Sequence, residues 1–138
     1  MPSSTIPNKI ETTVAKTATL ATKLAGKISG GEVFALIGPL GAGKTTFVQH
    51  LAKSLHYKGK VTSPTFVLMQ TYAGKTNTKK PIFINHLDLY RLEKEIDIVH
   101  SGLTEQWGAP HTVTLIEWAD KAPNLLPKNT TTIFFKTL

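Results

Sequence analysis

The stretch GPLGAGKT, Gly38 to Thr45, carries two glycines separated by four residues, then lysine and threonine. That spacing suits the capture of a polyphosphate. Glycines at 38, 41 and 43 let the backbone curl so that successive N–H groups point inward at anionic oxygens. A helix beginning near Lys44 turns its positive end toward the same spot. Lys44 can reach the β- and γ-phosphates, and the Thr45 hydroxyl is placed to ligate Mg²⁺. The flanks agree, because an apolar strand pattern precedes the motif and a helical one follows. The nucleotide contacts expected here are Gly38, Leu40, Gly41, Ala42, Gly43, Lys44, Thr45 and Thr46.

A magnesium ion held this way needs a carboxylate at the end of a neighbouring strand. Two acids end strand-like runs: VTLIE stops at Glu117, and FINHLD stops at Asp88. Glu117 is assigned to the metal, directly or through water. Asp88 is assigned to polarising the attacking water or to holding a second metal-bound water. Spacing leaves the reverse assignment open. His86 and Tyr90 are read as braces for Asp88, and Arg91 as a partner for a strand-end acid or for phosphate. In TSPTF, Pro64 forces Ser63 toward an extended conformation just before a strand. A hydroxyl on such a loop resembles a nucleotide-sensing switch residue, with Thr65 the first candidate and Ser63 the second.

The elements that must position these groups follow from periodicity. ETTVAKTATLATKLAGKIS places Val14, Ala18, Ala21, Ala25 and Ile28 at helical spacing, and Gly30-Gly31 is expected to end that helix. EVFALIG reads as a buried strand, and a helix is expected from Thr45 to about Tyr57, closed by Gly59. TFVLMQTY and PIFINHLDLY read as strands joined by the lysine-rich loop AGKTNTKK. An irregular helix over RLEKEIDIVHSG, then LTEQWG, precedes the strand TVTLIEW, the loop APNLLPKN and a last strand TTIFFK. Trp107 and Trp118 are assigned to packing or partner contact. The mixture predicts an α/β fold, a three-layer sandwich of the P-loop kind around a mixed central sheet.

Composition narrows the class. The 138 residues fit one domain, 1–138, and no cysteine is present, which fits a reducing cytoplasm. No apolar run approaches the ~20 residues of a membrane span, so no membrane partner is expected. The net charge of +7 is uneven: residues 1–80 hold eleven lysines against Glu11 and Glu32. A basic half suggests an anionic partner. Arg91 is the single arginine, which disfavours both base-specific DNA reading and a small-molecule kinase that clamps phosphates with several arginines. A GTPase would want Asp-x-x-Gly, whereas DLYR has arginine where the glycine belongs, and no NKxD occurs. A pure nucleic-acid-binding module would leave the phosphate loop idle.

GPLGAGKTTF, TSPTFVLMQTY, HLDLYRL and IEWADK occur in the order and spacing of the bacterial ATPase family called TsaE, formerly YjeE. The resemblance covers nearly the whole chain, from Glu11-Thr12 to Leu125–Pro127. It implies an ATP- and Mg²⁺-dependent ATPase of threonylcarbamoyladenosine biosynthesis, the modified adenosine beside the anticodon of tRNAs reading ANN codons. It implies TsaD-like and TsaB-like partners, with tRNA met indirectly through their complex, and no carbamoyl transfer by this chain itself. It also implies that Thr45 and Glu117 hold the magnesium, that Asp88 is functionally required, and that Thr12 belongs to the adenine pocket. Slow activity alone, accelerated by the partner pair, and a role in resetting that pair between turnovers are expected. Pro39 stands where the family usually has an acid, and LEKEIDIVH replaces its usual proline-and-glutamate segment. The stop at Leu138 leads to the expectation of one late strand or tail fewer than in longer members.

Overall fold

Six strands and three helices among the described residues follow one another in the manner of a phosphate-binding α/β domain. A computed structural model describes residues 6–39, 42–64 and 68–137. The strands are β1 (Lys9–Thr13), β2 (Glu32–Ile37), β3 (Met69–Lys75), β4 (Pro81–Asp88), β5 (Thr112–Glu117) and β6 (Thr131–Lys136). The helices are α1 (Thr17–Ala25), α2 (Lys44–Ser54) and α3 (Glu95–His100). Single 3₁₀ turns cover Val14–Lys16, Leu103–Gln106 and Ala119–Lys121. The six strands form one sheet in the order β1-β6-β2-β5-β4-β3, parallel throughout except for β3, which pairs antiparallel with β4. The sheet is therefore mixed, as the sequence predicts.

Both faces are covered. On one, Ala21 and Leu24 of α1 and Phe47, Val48 and Leu51 of α2 pack on Phe34, Leu36, Leu115 and Ile133. On the other, Ile98 of α3 with Trp107, Ala119 and Ala122 covers Val33, Ala35, Leu87 and Ile116. Every residue of β5 is buried, as a central parallel strand requires. Removing Leu51, fully buried in α2, to alanine belongs to the substitutions that cost about 2–5 kcal/mol.

Three boundaries of α1 and α2 differ from those expected, the helix expected over 91–102 forms only at Glu95–His100, and β4 and β5 end at Asp88 and Glu117. The first helix begins only at Thr17, because Glu11–Thr13 pair in parallel with Phe134–Lys136 as an edge strand, and Val14 is 47% exposed. A β-branched pair, Thr12-Thr13, suits the strand better than a helix. The same helix ends at Ala25 with Gly26 as its cap, not at Gly30-Gly31. Those two glycines take positive φ and steer the chain into β2, where the Gly31 N–H donates to the Thr112 carbonyl at 2.6 Å. Helix α2 stops at Ser54, before Tyr57, because His56 turns left-handed and the Leu55 carbonyl accepts from the Lys75 N–H of β3 at 2.6 Å. The β3–β4 hairpin forms as expected, with β3 continuing through Gly74 and Lys75 and a shorter connection at 76–80.

Candidate functional site

Three parallel neighbours, β2, β5 and β4, run the same way, and their C-terminal ends carry Ile37, Glu117 and Asp88. Register sets Asp88 of β4 directly against Glu117 of β5, and Glu117 against Leu36 of β2. The chain leaving β2 is the glycine loop, so both acids border it by topology alone. Ligands of open parallel sheets bind at this edge.

The described part of the loop is tightly specified. A side chain at Gly38 would place its Cβ 2.7 Å from the Phe135 carbonyl of β6. Gly43 caps α2 at φ 101°, a left-handed conformation that favours glycine. Its face lies against Thr17 of α1, a neighbour that the sequence reading missed. Ala42 is buried, and Leu40 and Gly41 lie outside the described residues.

Lys44 opens α2 and is buried, with Nζ donating to the Gly38 carbonyl at 2.6 Å. The same ammonium stands 4.1 Å from the ring centre of Trp118. Burial pushes its pKa below the ordinary lysine value, against the opposing pull of Glu117, Asp120 and Asp88. Trp118 follows Glu117 in a left-handed conformation, φ 60° and ψ 36°, uncommon for a bulky residue. That turn lays its ring over Lys44 and against Tyr90, 5.0 Å between centroids. Trp118, expected to serve packing or partner contact, thus also lines the surroundings of the lysine.

Thr45 places Oγ1 3.4 Å from Glu117 Oε2, so the two oxygens expected to share a magnesium are brought together. His86 does not spend its hydrogen bond on Asp88 as the sequence reading has it. Its Nε2 lies 2.6 Å from Glu117 Oε2, and both side chains are buried. Against an ionised carboxylate, which only accepts, Nε2 is the donor of the pair; Nδ1 has no hydrogen-bond partner among the described residues. Strand alternation explains the geometry: His86 lies opposite Leu115 of β5, one pleat below Asp88 on the same side of β4. Tyr90 does brace Asp88, through its backbone N–H at 2.9 Å.

The remaining expectations fall further out. The Asp88 N–H donates to the Leu68 carbonyl at 3.0 Å, which holds the chain entering β3 beside the end of β4. Ser63 is exposed, and Thr65 lies outside the described residues. Thr12 is buried on β1, with β6 between it and β2. Thr46 is exposed on α2. No cluster of three or more metal-binding His, Cys, Asp or Glu side chains occurs among the described residues. Magnesium is typically held by one or two carboxylates together with phosphate oxygens, and hard donors such as Thr45 and Glu117 fit that mode.

Fold and site together define a P-loop-type α/β protein. The family model "Threonylcarbamoyl adenosine biosynthesis protein TsaE" matches residues 11–137. A relative from Treponema pallidum, named tRNA threonylcarbamoyladenosine biosynthesis protein TsaE, is 36% identical over 123 residues, covering 88% of this chain and 85% of its own. A like-named relative from Nostoc is 37% identical over 78% of this chain, which spans 64% of that protein, just under two thirds. The crystal structure of Bacillus subtilis YdiB superposes with a TM-score of 0.63 at 29% identity, covering 85% of this chain and 67% of that one. The chain belongs to the TsaE family. No helix among the described residues is long and apolar enough to cross a membrane.

Proposed function

We propose that this single domain, residues 1–138, binds ATP with Mg²⁺ at the glycine loop and hydrolyses it in the service of tRNA threonylcarbamoyladenosine synthesis. The observation that carries the reading is the gathering of Lys44, Thr45, Glu117 and Asp88 at the ends of three adjacent parallel strands. Lys44 neutralises the β- and γ-phosphates. Thr45 and Glu117 would hold the magnesium, which when bound neutralises phosphate charge and orients the oxygens. Asp88, fixed by the Tyr90 N–H, orients the attacking water, while His86 keeps Glu117 aimed. The segment carrying Ser63 and Thr65 senses the γ-phosphate, a role supported by the Asp88 N–H donating to the Leu68 carbonyl just after it. Thr12 is retained as an adenine-side contact. The work is placed in the cytoplasm, where the tRNA substrates are.

With one arginine in the chain, few groups are present to neutralise transition-state charge, so isolated turnover is slow. A partner-supplied group of the arginine-finger kind is worth roughly 10³–10⁵ in rate. TsaB-like and TsaD-like proteins are the proposed partners, bound more tightly with ATP than with ADP and reset by hydrolysis between turnovers. A reconstituted modification assay with cognate partners, tRNA and threonylcarbamoyl-adenylate tests this. Wild type should sustain multiple turnovers and Asp88→Ala should stop near one; equal turnover by both would sink the reset role.

A further inference from the structure

Seven lysines and no carboxylate lie between Glu32 and Asp88 in the sequence, and only Lys44 of these serves the phosphate loop. The fold gathers the other six at one corner. Lys53 lies in the last turn of α2, Lys58 and Lys60 follow the helix, and Lys75, Lys79 and Lys80 belong to the β3–β4 hairpin. The corner is closed by backbone contact. The Lys75 N–H donates to the Leu55 carbonyl, and Gly74 approaches so closely that a Cβ there would stand 2.5 Å from that oxygen. All six lysines are exposed. Among the described residues the ion pairs are His86–Glu117 and Lys136–Glu11, so no carboxylate neutralises this corner.

The patch is also concave. A groove of about 480 Å³ is lined by Lys53, His56, Tyr57, Lys58 and Lys60, with Gln49, Gly59 and Val61. Tyr57 is half-buried and its ring packs on Tyr72 at 4.6 Å, which fixes one flat face beside the lysines. A basic groove with a fixed aromatic is the arrangement that holds an unpaired nucleic-acid strand, phosphates on cations and a base on the ring. Lysines without arginine suit backbone neutralisation, not the reading of base edges. A membrane surface would want apolar side chains among the cations. Among the described residues, the large exposed apolar side chains of Val14, Phe83, Tyr90, Ile96 and Val99 do not line the groove.

We infer that this corner is a direct binding surface for the phosphate backbone of tRNA, in contact with an unpaired segment. Helix α2 runs from the phosphate loop to the groove, and eleven residues make it about 16 Å long, so both ligands fit at once. The choice of tRNA rests on the family to which the chain belongs; it does not depend on ATP hydrolysis.

The test is fluorescence anisotropy with a labelled tRNA transcript and the full chain, without nucleotide, across a range of salt. Wild type should bind with a steep salt dependence. The triple variant Lys53→Gln, Lys58→Gln, Lys60→Gln should flatten the slope of log K against log salt by about three. Tyr57→Leu should bind roughly ten-fold more weakly with little change of slope, the signature of lost stacking. Lys94→Gln with Lys128→Gln, remote from the groove, should change nothing. Unchanged tRNA affinity in the groove triple, or binding to phosphatidylserine vesicles with none to tRNA, would overturn the inference. ATP titrations of the same proteins separate the two claims. Normal ATP binding with groove-independent tRNA binding sinks the groove alone, whereas groove-dependent tRNA binding without ATP binding sinks the nucleotide reading alone.

Discussion

His86 and Glu117 stand on neighbouring parallel strands with Nε2 and Oε2 2.6 Å apart, both buried. The same Glu117 oxygen lies 3.4 Å from the Thr45 hydroxyl at the start of α2. A chain of three side chains thus links β4, β5 and the helix that follows the phosphate loop. Its middle member is the carboxylate that we assign to the metal. A buried imidazole that fixes one carboxylate oxygen limits how the other can point, which is how such outer partners tune a metal ligand.

His86 is therefore a positioning residue, and its loss should appear in magnesium dependence. His86→Leu removes the N–H and should raise the magnesium needed for ATP binding roughly 10–100-fold. His86→Gln can present an amide N–H near the Nε2 position and should recover part of that. Calorimetry at graded magnesium checks it, with thermal melts of both variants alongside. Equal loss in both, following their melting temperatures, would mean that His86 only supports the core.

The two acids should separate by step. Glu117→Ala should weaken ATP binding in the presence of magnesium and leave magnesium-free binding little changed, since a metal ligand acts on the bound ground state. Asp88→Ala should bind ATP nearly normally and hydrolyse it slowly, since a water-orienting group acts mainly in the transition state. Its setting agrees: Asp88 is anchored by the Tyr90 N–H and borders the loop ending at Leu68. Single-turnover hydrolysis beside calorimetry makes the comparison, and the opposite pattern would exchange the roles.

The placement of the glycine loop and both acids at one edge of the sheet was legible because each is a local pattern at the end of a strand-like run. The sheet's mixed character was legible for the same reason, from a hairpin between β3 and β4. The partner of His86 was not. Which carboxylate an imidazole meets depends on the register of β4 against β5, and register is set by the whole sheet. The strand at Lys9–Thr13 was hidden because its pairing partner, β6, lies at the other end of the sequence. The apolar period that begins properly at Thr17 could be extended backward through Val14 with nothing local to forbid it. Trp118 escaped because its left-handed turn, which brings the ring over Lys44, is a backbone state no composition signals.

Gly38 offers a test of the loop's packing apart from its chemistry. A Cβ at this position would meet the Phe135 carbonyl at 2.7 Å and the Phe135 Cβ at 2.9 Å, both held by β6. Neither atom can swing aside as a side-chain tip would. Gly38→Ala should lower the unfolding free energy by roughly 1–3 kcal/mol, the range for overpacking. Gly26→Ala is the control, because its added methyl meets only the Lys23 carbonyl at 3.6 Å, an ordinary van der Waals contact, and its backbone is right-handed helical. Urea titrations of the two variants should differ clearly; equal midpoints would show that β6 yields to the loop.

Lys44 ties the site to pH. Burial lowers its pKa, and the nearby carboxylates of Glu117, Asp120 and Asp88 only partly oppose this. Without nucleotide, then, Lys44 gives up its proton at lower pH than an ordinary lysine. Phosphate binding requires the charged form, so ATP affinity should fall as pH rises through the lowered value, before ordinary lysines titrate. Bound phosphate favours the ammonium, so binding in that window should take up a proton. The linkage to folding has the opposite sense. Above the lowered pKa the unfolded chain still holds its proton and the folded one does not, so this group's contribution to stability rises with pH across the window. Calorimetry of ATP binding in buffers of differing ionisation enthalpy reads the proton uptake directly. Lys44→Ala should bind ATP far more weakly at neutral pH and lose the uptake at alkaline pH. Affinity unchanged by the substitution would remove Lys44, and with it the phosphate loop, from the nucleotide site.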